Sequence, residues 1–323
     1  MNRNIILILA LILVAGVGLY ALKSKKDTST TLERSDSNFK IDDLNSIGRI
    51  ILTDKEGMRS DLKRNGDHWT VNGTHRARQT NVDNLLKGLN RLQLEHIPTR
   101  EASKNVLANM AVSAIHVEIF DNGENKLLGY YVGGVTQSER GTYFLKEGSQ
   151  QPYSLIDPGF DGGLRARYAL RPIDWRDVRF WIEETDQIDT LKVHYPKQRQ
   201  HSFIISRSGS SYSLKPMFTT TPLKQKDSDV RIKSYLTTLS KLACENFITN
   251  LEHKDSIIQS VAFMEMDMIY KDESSYLNFY PIGQKEYSTD IPRYFIDYSG
   301  KDFMVGQHEV LKGAFRSYEY FFE

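Results

Sequence analysis

The densest set of chemically capable side chains in this sequence is a run of arginines set among aromatic residues. Arg165, Arg167, Arg171, Arg176 and Arg179 are interleaved with Tyr168, Trp175, Phe180 and Trp181. Guanidinium groups bind carboxylates and phosphates through paired N–H donors, so such a cluster could dock an anionic glycan, a lipid headgroup or an acidic protein. The same stretch carries Asp161, Asp174, Asp177, Glu183 and Glu184. Internal pairing with these acids is the competing reading, and the favoured one. Trp175 and Trp181 are expected to pack where two structural units meet, with ligand stacking as the alternative.

Other chemistry is thinner. His68/His75 and His194/His201 could each face across a hairpin, and imidazole nitrogen is a good zinc ligand. No third ligand recurs beside either pair, so ordinary surface histidines are expected. Asp186 with Asp189 could imitate an acid–base pair, but nothing in the sequence places them in a pocket. Cys244, next to Leu242 and Ala243, reads as a buried thiol rather than a nucleophile. Gly133-Gly134 and Gly162-Gly163 lack the flanking residues that phosphate-binding loops need and read as turns. The sequence holds no GxSxG, HExxH, CxxC or EF-hand pattern. No cofactor or metal is implied. An arginine cluster can hold an anion but cannot act as a base at neutral pH, so no active site is expected.

The elements that would position these residues repeat. Asn65-Gly66, Asn72-Gly73 and Asn122-Gly123 mark tight turns between strand-like stretches. A helix is expected from near Thr80, with Asp83 as its capping-box partner, ending before Pro98. Its buried face would be Val82, Leu85, Leu86, Leu89 and Leu92. Five apolar or aromatic residues follow at the same spacing 150 positions on: Ile232, Tyr235, Leu236, Leu239 and Leu242. Asp227, Ser228 and Asp229 supply cap candidates. Ile47, Ile50 and Leu52 match Ile188, Leu191 and Val193 at an offset of 141. Tyr143-Phe144-Leu145 matches Tyr294-Phe295-Ile296 at 151, and Tyr153 matches Phe303 at 150. An insertion around 218–226 would account for the change of offset. The expected fold is α+β: two tandem repeats of mostly antiparallel sheet with one amphipathic helix each, preceded by one transmembrane helix.

Length and composition agree. The chain has 323 residues, 40% of them hydrophobic and 26% charged, which excludes a disordered class and suggests about two domains. Arg3, Lys23, Lys25 and Lys26 are the only charged side chains in residues 1–26, leaving a slightly acidic remainder. That balance argues against nucleic acid as a partner. The single cysteine excludes an intrachain disulfide. Ile5 to Leu22 is an uncharged apolar run, roughly 27 Å long as a helix and close to bilayer thickness. An uncleaved anchor in the lipid bilayer is the preferred reading. A cleaved signal peptide, using the small residues Val14-Ala15-Gly16, is its competitor. Charge counting weakly favours a cytoplasmic body. The expected boundaries are an anchor over 1–26, a flexible tether over 27–44, a first repeat over 45–157, an arginine/tryptophan-rich connector over 158–187 and a second repeat over 188–323.

Leu62-Lys63-Arg64-Asn65-Gly66, Trp69-Thr70-Val71-Asn72-Gly73, Arg76-Ala77-Arg78, Tyr131-Val132-Gly133-Gly134, Gly141-Thr142-Tyr143 and Asp174-Trp175-Arg176-Asp177 together resemble a bacterial family. It is the domain-of-unknown-function family numbered 4340. The likeness spans about 45–185 and reaches the second half through the repeat. It implies an inner-membrane, single-pass protein with a periplasmic body, often beside gliding-motility-type ABC transporter auxiliary proteins. It implies no catalytic residues. The resulting expectation is a non-enzymatic accessory or scaffold protein with envelope partners, possible ABC transporter subunits among them. A binding module for an anionic glycan, peptidoglycan or lipid headgroup is the alternative, and a hydrolase is third.

Overall fold

A computed structural model describes residues 37–180, 188–222, 228–271, 273–283 and 291–322. The apolar run Ile5–Leu22, tether residues 27–36, Trp181 and the acids Glu183, Glu184 and Asp186 lie outside the described residues. Among the described residues no helix is long and apolar enough to cross a membrane. The chain divides between Asp177 and Val178 into two compact units.

The first unit is a nine-stranded antiparallel sheet. Its strands are β1 (Ile47–Thr53), β2 (Arg59–Asn65), β3 (His68–Val71), β4 (His75–Arg76), β5 (Gln93–His96), β6 (Ile115–Asp121), β7 (Lys126–Val135), β8 (Thr142–Lys146) and β9 (Pro152–Ile156). They lie in the order β4-β3-β2-β1-β6-β7-β8-β9-β5. Helix α1 (Gln79–Arg91) covers one face, and all five expected apolar residues of that helix are buried. Each contributes about 1.5–3 kcal/mol of burial. They meet the inward set of the strands, Ile50, Leu52, Val117, Ile119, Tyr130, Val132 and Phe144. A second helix, α2 (Arg100–Ser113), lies on the opposite face, where Val106, Met110 and Ala114 pack on Tyr131, Tyr143 and Leu145.

The second unit repeats this plan. Strands β10 (Ile188–His194), β11 (Phe203–Ser208), β12 (Ser211–Pro216), β13 (Asn246–Phe247), β14 (Met264–Tyr270), β15 (Glu273–Ile282), β16 (Arg293–Tyr298) and β17 (Asp302–Gln307) run in the order β12-β11-β10-β14-β15-β16-β17-β13. Among the described residues this is the first sheet's order without β4. Helix α4 (Asp229–Leu239) buries Ile232, Tyr235, Leu236 and Leu239, with Leu242 buried just beyond it. The short α5 (Lys254–Gln259) stands where α2 stands in the first unit; a short α3 (Pro172–Trp175) and α6 (His308–Leu311) follow each sheet. Even an irregularity recurs. The pairing of β1 with β6 shifts register between Ile47 and Arg49, and that of β10 with β14 between Ile188 and Thr190, 141 residues on. Gly48 fills the first bulge because a Cβ there would stand 2.7 Å from the backbone of Asn122. The two units thus share strand order, core face and the position of the bulge.

Several sequence-based expectations need correction. Each unit has three helices rather than one: the expected amphipathic helix, a second helix before the sixth or fourteenth strand, and a short one after the sheet. Helix α1 begins at Gln79 with no side-chain cap, so Thr80 is inside it, and Asp83 accepts from Gln79 Nε2 at 2.7 Å. It ends at Arg91, before β5, so Pro98 is not its stop. Ser228 is the cap of α4, accepting from the Arg231 amide at 3.4 Å. The strand matches at 151 and 150 are each one residue out of register. Val132 pairs Phe144 and Phe279 pairs Ile296, so Phe144 is equivalent to Ile296; by the same reasoning Tyr153 is equivalent to Met304. A one-residue slip exchanges the two faces of a strand, which is why hydrophobic character alone misled the alignment. Gly133-Gly134 is not a turn but a bulged part of β7.

Candidate functional site

Among the described residues of the connector, 158–180, the chain passes from the first unit to the second. Residues up to Asp177 belong to the first unit and those from Val178 to the second. Arg165 directs its guanidinium at backbone carbonyls: Val132 at 2.9 Å, Gly133 at 3.1 Å and Ser113 at 2.7 Å. It thereby closes the C-terminus of α2 and the β7 bulge, and burial holds its pKa below the usual arginine value. Arg167 pairs with Asp157 at 2.8 Å and lies over the Phe160 ring at 4.4 Å. Asp157 is buried and is also held by Arg91 at 3.1 Å. Arg171 makes a two-pronged pair with Asp174 at the surface. Arg176 bridges Ala77 through its backbone and Arg179 bridges Ala243.

The aromatic members are core residues. Trp175 is buried in the core of the first unit and donates Nε1–H to the Ala169 carbonyl at 2.8 Å. Tyr168 is hydrogen-bonded to Tyr130 at 3.2 Å, and burial pushes its pKa up to about 12. Phe180 is buried in the second unit. Of the six candidate contact residues, two reach one cavity. Arg167 and Trp175 line a space of about 330 Å³ together with Asn81, Asn84, Phe160, Ala166 and Ala169.

The histidine pairs do not converge. His68 bonds Asp67, whereas His75 lies opposite Val71 on β4. His194 bonds Glu265 at 2.8 Å and His201 bonds Glu319 at 3.1 Å. Asp189 is structural, pairing with Arg207 and accepting from the Lys271 amide at 3.1 Å. Cys244 is buried.

A larger cavity lies on the α2 face of the first sheet. Thr99 caps α2 by accepting from the Ala102 amide at 3.3 Å, and Arg165 holds its other end. Gly133 lets the helix approach: a Cβ there would stand 2.8 Å from Met110. The apolar stripe of α2 is narrow, so the helix leaves a groove of about 440 Å³ beside it. Leu107, Met110, Ala111, Ala114, Tyr131 and Leu145 form the apolar wall, while Thr53, Asp54, Lys55 and His116 provide the polar margin. This size and balance are those of a ligand or side-chain pocket.

At that margin the sheet carries a charged cluster. His116 and Glu118 alternate with buried Val117 on β6 and therefore share a face. Glu147 follows β8, and Lys126 opens β7. The Lys126 ammonium lies 3.0 Å from Glu118 and 2.5 Å from Glu147, which holds its pKa above the usual lysine value, Glu147 contributing most. His116 stacks on Tyr131 with ring centroids 4.7 Å apart. Sequence reading missed this cluster. The alternation Ile115-His116-Val117-Glu118-Ile119 was a legible signal for two members, but Glu147 joins them only through the β7–β8 pairing.

Two antiparallel sheets, each carrying helices, define an α+β protein of two similarly built units. Its family is shown by a family model described as "Domain of unknown function (DUF4340)", which matches residues 75–260, more than half of the chain. The chain belongs to that family. Comparison with curated proteins gives no match, and comparison with solved structures gives none either.

Proposed function

We propose that this chain is a membrane-anchored bacterial envelope protein acting as a non-enzymatic accessory or scaffold, held in the inner membrane by Ile5–Leu22 with its bulk in the periplasm. Envelope proteins, ABC transporter subunits among them, are its proposed partners. The observation that carries the reading is the apolar groove beside α2, a surface suited to gripping apolar side chains of a partner. Within the first unit Arg165, Arg167 and Arg171 are committed to carbonyls and carboxylates. An anion-binding module is a second reading, favoured by one observation, the Arg167-lined cavity. There an incoming anion would compete with Asp157.

The test is photo-crosslinking from Ala111, exposed on α2 at the groove, in intact cells, with Lys301 in the second unit as the control position. The reading expects an adduct with a discrete envelope protein from position 111, absent from 301 and lost when Leu107→Trp fills the groove. Equal adducts from both positions would sink it. Retention in membranes through carbonate washing, and reporter fusions at the C-terminus, test the anchor and the sidedness. A soluble mature chain beginning near residue 17 or 22, or an active cytoplasm-only reporter, would each overturn the corresponding part.

A further inference from the structure

We propose that His116, Glu118 and Glu147 form a binding site for a divalent first-row transition metal, with the Lys126 ammonium as its built-in competitor. One donor atom from each of the three lies within 4.8 Å of the others. Metal–ligand bonds of about 2.0–2.2 Å separate neighbouring donors by roughly 3–4 Å, so small side-chain rotations close the set. The backbone fixes two of the three, because β6 presents His116 and Glu118 on one face.

Three observations lift this set above an ordinary surface ion pair. First, His116 Nε2 is sealed from solvent and has no hydrogen-bond partner; the nearest carboxylate oxygen, on Glu147, is 3.7 Å away. A buried ring nitrogen left unpaired is costly, and a metal ion would satisfy it. Second, Gly129 makes room for the third ligand. It lies across from Glu118 in the β6–β7 pairing, and a Cβ there would stand within 2.0 Å of Glu147 Oε2. A larger residue would force that carboxylate to move from its present place. Third, the position between the two carboxylates already holds a cation. Lys126 bridges both glutamates, yet its side chain is 36% exposed on a flexible stem and free to swing outward.

Replacing one ammonium by a divalent ion also neutralises two carboxylates that a single lysine leaves with a net negative charge. One imidazole and two carboxylates, without a thiolate, suit Zn²⁺, Co²⁺, Mn²⁺ or Fe²⁺ rather than Cu⁺. Three protein ligands leave at least one coordination position open. Since His116 also lines the groove, an ion bound there would stand beside whatever the groove holds.

The test is Co²⁺ titration of the full chain, purified in detergent without a histidine tag, followed by visible absorbance and by metal analysis after dialysis. The expected result is one equivalent bound, without a thiolate band, and at least about tenfold tighter binding in Lys126→Met, where the competitor is gone. His116→Ala and Glu147→Gln should each weaken binding by about tenfold or more. Glu147 is exposed, so its variant keeps the test decisive if His116→Ala fails to fold. Absence of binding in both the wild type and Lys126→Met, or binding that survives Glu147→Gln unchanged, would overturn the site.

Discussion

Replacing Arg167 by alanine separates an internal brace from an anion-docking residue. Its guanidinium lies 2.8 Å from Asp157, whose side chain is only 1% exposed. Removing one partner of a buried pair costs about 3–5 kcal/mol, because the remaining charge stays desolvated. Here the loss is partly offset. Asp157 keeps Arg91 at 3.1 Å and the Gly159 amide at 3.0 Å, although Arg91 is half exposed. Loss of the Phe160 ring contact adds about 0.5–1 kcal/mol. The expected destabilisation of the first unit is therefore about 2–4 kcal/mol. Urea unfolding followed by tryptophan fluorescence is the suitable assay, since Trp69 and Trp175 are both buried in that unit's core. Asp157→Asn, combined with Arg167→Ala, should cost less than the sum of the two single changes, because the stranded carboxylate is gone. Unchanged stability in Arg167→Ala, together with loss of inorganic phosphate or anionic-vesicle binding, would refute the reasoning and promote the anion-binding module.

The duplication predicts matched responses: Leu86→Ala and Leu236→Ala should each cost about 2–5 kcal/mol, with Leu236 toward the upper end because it is the more deeply buried, and a cost under about 1 kcal/mol in either would remove it from the core. Gly48→Ala should destabilise the first unit by about 1–3 kcal/mol, since its Cβ meets backbone that cannot rotate away; a neutral effect in thermal unfolding would remove the bulge constraint. The Arg49 guanidinium holds the Asp61 carboxyl below its usual value, and the side-chain hydrogen bond is the main cause. That contribution is complete above the ordinary carboxylate pKa and disappears as pH falls through the lower folded-state value. Asp61→Asn should therefore cost about 1–2 kcal/mol at neutral pH and flatten the acid limb of the stability profile below about pH 4. An unaltered acid limb would contradict the pairing.

What was legible in the sequence was whatever buries a continuous apolar stripe. The α1 and α4 faces repeat Val82/Leu86/Leu89 as Ile232/Leu236/Leu239, and all six are in their cores. Helix α2 was hidden because Val106, Met110 and Ala114 give it only a thin stripe, and because Pro98-Thr99 reads equally as a stop or as a start. The strand offsets drifted because alternating apolar residues fix a period but not a register. The arginine cluster was correctly seen as dense and incompletely traced. Arg171 with Asp174 was within reach of local reasoning, whereas Arg165 finds its carbonyls on α2 and β7, 32 to 52 residues away. The His116 set failed for the same reason, since strand pairing rather than spacing brings Glu147 to it.

The two copies agree on one face of the sheet and part company on the other. Toward α1 and α4 the equivalent residues stay apolar: Val117 matches Met266, Tyr130 matches Leu277 and Phe144 matches Ile296, all buried. Toward α2 and α5 the register sets His116 against Glu265, Glu118 against Asp267, Tyr131 against Asn278 and Leu145 against Asp297. The apolar wall of the groove is thereby lost in the second unit, and a buried carboxylate takes Leu145's place. The helix over that face also shrinks from the 14 residues of α2 to the six of α5. Folding constrains the shared face, because each copy needs its own core. It does not require the other face to differ between copies in helix length, polarity and cavity at once. The groove and the His116 cluster lie on the face that differs between the two units, in the unit whose longer helix is pinned at both ends by Thr99 and Arg165. Substitutions there can alter binding without opening either core.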